Sequence, residues 1–120
     1  MTVDRGVLET SRPPVSVRDF SLKDIASFLK NVLSKHENVR EAYLFGSLAE
    51  NRQDDWSDID VVIVADVTAP FIERPREFFD LYDLGIPMGI LVYTPKEFED
   101  LKNSESGFWK SFRENHLRIF

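Results

Sequence analysis

The sequence contains no cysteine, so disulfide frames, thiolate nucleophiles and cysteine-based zinc sites are all excluded. Histidine is nearly as scarce. His36 and His116 are the only two, they are separated by most of the chain, and they form no ligand pattern. No apolar run approaches the roughly 20 residues that a membrane span requires, and the opening MTVDRGVLETSRPP carries no signal-peptide core. Basic residues are in deficit, 15 against 21 acids, for a formal net charge of −6. Lysines and arginines are also scattered, so the basic face of a protein that grips long nucleic acid is not expected. A soluble cytoplasmic protein with neither membrane nor polynucleotide among its partners is the expectation.

What is present suffices for a core. The chain of 120 residues is 42% hydrophobic and 12% aromatic, which suits one domain of ordinary size. Residues 1–20 lack periodicity, include Pro13-Pro14, and read as an N-terminal arm; 21–120 read as the domain. Ser21 is a helix N-cap signal, and Leu22, Ile25, Phe28/Leu29 and Val32/Leu33 follow at helical spacing, giving a helix to about Lys35. Val39–Phe45 reads as a strand, Gly46–Asn51 as a turn entering a short helix, and Asp58–Ala65 as a central strand rich in β-branched residues. Phe71–Leu84 reads as a helix despite Pro75, Ile86–Tyr93 as a third strand, and Thr94-Pro95-Lys96-Glu97 as a capped helix start. Ser104–His116 completes the series as a last helix, with Phe108, Trp109 and Phe112 on its packed side. The pattern predicts a small α/β (α+β) domain with a mixed sheet of three or four strands flanked by helices.

The chemistry concentrates in YLFGSLAENRQDDWSDIDVVIV, Tyr43 to Val64. Residues two apart in a strand share a face, so Asp58 and Asp60 direct both carboxylates to one side. Two adjacent carboxylates repel and are costly to bury. A divalent cation removes that cost, and hard oxygen ligands of this kind suit Mg²⁺. Gly46 permits close approach of the backbone to a ligand. Ser47 and the amides after it, at a helix N-terminus, would attract phosphate. One element then holds phosphates and the other the metal that bridges them, which is equipment for nucleotidyl or phosphoryl transfer. Either half alone is commonplace, since D-x-D is often a solvated strand end and Gly-Ser merely a turn. The combined G-S-x10-D-x-D pattern arises by chance in roughly one chain of this length in several hundred.

At Gly46, Ser47, Asp58 and Asp60 the segment resembles the signature of the nucleotidyltransferase superfamily that includes DNA polymerase β and kanamycin nucleotidyltransferase. The short chain is most similar to the minimal nucleotidyltransferase domains of bacteria and archaea, over most of residues 22–102, including ILVYTPKEFEDL. The resemblance implies the fold and transfer of a nucleoside monophosphate from an NTP, with ATP the expected donor and Mg²⁺ the cofactor. Asp58 and Asp60 would be metal-binding and catalytic, and Gly46 and Ser47 phosphate-binding. It also implies a protein partner or acceptor of the kind that some minimal members have, a helical ribonuclease toxin to which they act as antitoxin.

The match breaks at one position. The family's third carboxylate belongs in the strand IPMGILVY, where Gly89 takes its place. Asp83 lies six residues away, about 20 Å along an extended chain at ~3.3 Å per residue; Glu97 is on the far side of the strand, and Asp54 and Asp55 precede Trp56. Smaller departures put Leu48 and Asn51 where the family often has Arg and a glycine turn, with Arg52 a candidate phosphate contact. Three readings follow. The first is an Mg²⁺-dependent nucleotidyltransferase slowed by the loss of one ligand. The second is a degenerate module that binds a nucleotide or protein without turnover. The third is an adaptor or homo-dimer that docks through its aromatics, Phe78-Phe79 or Phe108-Trp109-Phe112.

Overall fold

The structure, a computed structural model, describes residues 13–120. Its layering follows from the alternation in β2, Ile59–Ala65. Ile59, Val61, Ile63 and Ala65 belong to one apolar cluster, whereas Val62 and Val64 belong to a second on the opposite face. Both faces of this strand are therefore covered, and each fully buried Val or Ile contributes about 1.5–3 kcal/mol. β1, Val39–Phe45, runs antiparallel to β2; β3, Met88–Tyr93, runs parallel to it; and β4, Leu117–Arg118, pairs antiparallel with β1. The four-stranded mixed sheet has the order β3-β2-β1-β4.

On the first face lies α1, Leu22–Leu33, which buries Ile25, Leu29, Val32 and Leu33 at the spacing seen in the sequence. Ser21 caps it by accepting from the Asp24 amide at 3.0 Å. Beside it runs Phe71–Leu84, the crossover that parallel pairing of β2 and β3 requires. This segment is 3-10 rather than α-helical and is broken at Phe78 (φ −116°, ψ 26°). Pro75 lies inside it and supplies no amide donor, which works against a continuous α-helix. Phe78 and Leu81 are buried, while Phe79 and Tyr82 are exposed and touch each other. Of the expected N-terminal arm, residues 1–12 lie outside the described residues. The remainder packs: Val17 belongs to the core, and Ser16 caps a 3-10 turn at Val17–Asp19.

The second face carries α2, Pro95–Leu101, and α3, Gly107–Glu114. Thr94 and Glu97 form the expected capping box. Glu97 also holds Arg74, Nη1 to Oε1 at 2.6 Å, and Arg74 donates in turn to the carbonyls of Val92 and Ala69. Trp109 and Phe112 of α3 are buried against Tyr43 and Phe98, and only Phe108 of that aromatic trio is open to solvent. The last helix is shorter than the pattern suggested. It stops at Glu114 because the chain turns to lay Leu117 and Arg118 along β1 as a fourth strand. No helix among the described residues is long and apolar enough to cross a membrane.

Candidate active site

Asp60 is the second residue of β2, and on the sheet it lies opposite Phe45 of β1 and Gly89 of β3. It occupies the face shared by Val62 and Val64, beneath the aromatic helices. Two glycines make room for its carboxylate. A Cβ on Gly46 would overlap Asp60 Oδ2, and a Cβ on Gly89 would lie 2.8 Å from Asp60 Oδ1. Gly46 is required twice over, because its φ of +74° also falls in the left-handed region. From the sequence Gly46 reads as a point of ligand approach; its contact with Asp60 is visible only in three dimensions.

Asp58 stands one residue before the strand begins and is exposed. Burial first, and the neighbouring Asp58 charge second, hold the Asp60 carboxyl above its ordinary pKa. The two acids thus sense each other, as their spacing implies. Among the described residues neither has a hydrogen-bond or ion-pair partner. A partly buried carboxylate, next to a second one and without a cation from the protein, is a donor set that a divalent ion fits.

Gly46–Asn51 forms a single turn, where the sequence suggested entry into a short helix. The Glu50 amide donates to the Gly46 carbonyl at 3.0 Å, Asn51 to Leu48 at 3.2 Å, and Arg52 to Ser47 at 2.8 Å. Asn51 sits at φ 57°, so this is a Schellman-type closure, with asparagine where glycine is usual, and it ends the helix after one turn. The amides of Ser47, Leu48 and Ala49 take no backbone partner among the described residues. They are the free donors that any helical first turn leaves. Arg52 pairs with Glu50 at 2.6 Å and is not directed to the acids by any contact.

Glu97, Asp54 and Asp55 are committed elsewhere. Glu97 is bound to Arg74, and hydrogen bonds from Arg74 and from the Thr94 backbone, with the Arg74 charge, hold its carboxyl below the usual range. Asp54 accepts from the Trp56 amide and Asp55 from the Ser16 hydroxyl. The ladder pairs Gly89 with Asp60 directly, so the position where the sequence suggested a third carboxylate lies beside Asp60. Among the described residues no group of three His, Asp or Glu could hold a metal. A hollow of about 390 Å³ lies on the same face around Tyr43, Phe98 and His116, but neither acid lines it. A smaller one, about 240 Å³, adjoins Gly46 and is bounded by α3, whose aromatics the sequence pattern assigned to packing or to partner docking.

Comparisons with known proteins agree with this architecture. A family model described as polymerase beta, nucleotidyltransferase, matches residues 28–107. A relative from Methanocaldococcus jannaschii, named "Putative protein adenylyltransferase MJ0128", is 33% identical over 78 residues, 59% of this chain and 74% of the relative. A solved toxin-antitoxin with AMP-PNP superposes with a TM-score of 0.50 at 17% identity, over 79% of this chain and 72% of that one, a likeness of fold alone.

Proposed function

The chain belongs to the polymerase β-type nucleotidyltransferase family, and from that premise we propose that it transfers a nucleoside monophosphate from an NTP to an acceptor hydroxyl, with Asp58 and Asp60 binding one Mg²⁺. In the proposed step the acceptor oxygen bonds to the α-phosphorus and gives up its proton to solvent, the bond from the α-phosphorus to the bridging oxygen breaks, and pyrophosphate leaves with that oxygen. Mg²⁺ held by the two acids supplies charge neutralisation for the triphosphate. Gly46 keeps the backbone low enough for close approach, and the free amides from Ser47 onward donate to phosphate oxygens. ATP is the proposed donor. The name of the archaeal relative supports a protein as the acceptor.

The observation that carries this reading is Asp60: a carboxylate set between two glycines, raised in pKa by burial and by Asp58, and lacking any protein cation among the described residues. Giving up side chains around an uncompensated, partly buried charge has no benefit to folding, since it costs stability. This supports a cationic ligand at Asp60.

A second reading rests on Gly89. With no carboxylate there, nothing on β3 helps to take the acceptor proton, and the domain would bind Mg²⁺ and nucleotide without efficient turnover. The test is incubation with α-labelled ATP, Mg²⁺ and candidate protein acceptors, beside calorimetry of ATP binding. Label transfer that vanishes in Asp60→Ala supports transfer. Mg²⁺-dependent binding without transfer supports the binding module. If ATP binds equally well to Asp60→Ala with Mg²⁺ present, both readings fail.

A further inference from the structure

The hollow of about 240 Å³ beside Gly46 is bounded by Phe45, Glu50, Phe108, Phe112 and Asn115. It shares Gly46 with the proposed phosphate cradle, and Phe45 is the cross-strand partner of Asp60. Phe108, Phe112 and Asn115 lie beyond residue 107, where the family match ends, and come from α3 and the residue that ends it. Phe108 meets the Phe45 ring edge-on at 5.4 Å and is 38% exposed, leaving part of an aromatic ring open next to the cradle. The Asn115 side-chain amide has no partner among the described residues.

We infer that this hollow receives the nucleobase of the donor nucleotide, stacked against Phe108 with the Asn115 amide at the base edge. The inference rests on the donor-nucleotide reading above and adds where the base goes. Volume argues for one ring system: the hollow is below the roughly 300–1,000 Å³ of clefts that enclose drug-sized ligands. Charge argues against phosphate. Among the described residues Glu50 is the only ionised one on the lining, it is anionic, and it is already paired with Arg52. A neutral, flat, hydrogen-bonding group suits aromatic walls with an amide at the rim, because every base offers a π-face and polar edges.

Calorimetry in Mg²⁺ with two probes, ATP and inorganic tripolyphosphate, tests this on the full chain. Tripolyphosphate reads the acids and the Gly46 turn; the excess affinity for ATP reads the base. Phe108→Ala weakens ATP binding by about tenfold, the usual scale of a lost base stack, and leaves tripolyphosphate binding unchanged. Phe108→Leu keeps apolar bulk against Trp109 while removing the ring, and gives the same split if folding, monitored by circular dichroism, is intact. Asn115→Ala, at an exposed helix end, lowers ATP affinity alone. Wild-type protein that binds both probes equally, or variants that weaken both together, overturns the inference and spares the donor reading. If neither probe binds, the donor reading falls and this inference falls with it.

Discussion

Replacing Gly89 by aspartate would add the third carboxylate beside Asp60, and its effect on stability should depend on Mg²⁺. The residue is in an ordinary strand conformation, and the Cβ would sit 2.8 Å from Asp60 Oδ1, so that oxygen must retreat by about 0.6 Å to reach ordinary contact at 3.4 Å. Rotating Asp60 by that amount costs about 0.5–1.5 kcal/mol. Removing glycine from a strand returns about 0.5–1 kcal/mol, so Gly89→Ala should be close to neutral. Aspartate adds like charge. Two carboxylates about 4 Å apart at an effective dielectric of about 20 repel by ~4 kcal/mol, and the open side toward exposed Asp58 screens this to roughly half. In EDTA, Gly89→Asp should therefore melt lower than Gly89→Ala by on the order of 10 °C, at about 4 °C per kcal/mol for a domain between the small and larger size classes. Mg²⁺ at 100 times its dissociation constant contributes about 2.7 kcal/mol, enough to restore the melting temperature. Differential scanning calorimetry with and without Mg²⁺ reads this directly, and label transfer from ATP should rise in Gly89→Asp over wild type. Equal destabilisation by alanine and aspartate, or a loss that Mg²⁺ does not reverse, would refute the account of the missing ligand.

Three further outcomes are expected. Asp60→Asn abolishes Mg²⁺-dependent ATP binding yet raises the melting temperature at neutral pH in EDTA. The sign follows from the raised pKa: the folded state binds this proton more tightly than the unfolded one, so the wild type loses stability as pH climbs from the ordinary carboxylate pKa through the raised value. The gap between mutant and wild-type melts should accordingly widen over that rise and then level off. Gly46→Ala costs about 1–2 kcal/mol for its left-handed backbone alone and, by displacing Asp60 Oδ2, removes Mg²⁺ binding as well; urea denaturation and calorimetry measure the two losses separately. Arg74→Ala leaves the Val92 and Ala69 carbonyls without their donor and should cost about 2–4 kcal/mol by chemical denaturation. Its partner Glu97 has a depressed pKa, so the stability it contributes is present above the ordinary carboxylate value and lost as pH falls through the depressed one.

Much of the architecture was legible because it depends on local periodicity. Apolar spacing placed α1, the run Ile59–Ala65 announced a strand covered on both faces, and the Thr94–Glu97 box marked the start of α2. Where the reading failed, distant contacts had decided. Phe71–Leu84 has a helical pattern but a proline inside and a kink at Phe78, and Phe78 is nonetheless buried. β4 has two exposed residues and no strand signal; it exists because α3 ends where the chain can return to the edge of β1. Arg74 carries no local sign of its role, since its carboxylate partner is 23 residues away.

Most of the order of elements, the family and the candidate quartet Gly46, Ser47, Asp58 and Asp60 could be read from the chain alone, because covalent spacing and side-chain chemistry are local properties. That Gly89 stands beside Asp60 across two strands, that both glycines yield space to one carboxylate, and that the aromatic end of α3 walls a hollow next to Gly46 were decided only by strand register and packing. Register brings together residues far apart in the sequence, and no local pattern encodes which of them will meet.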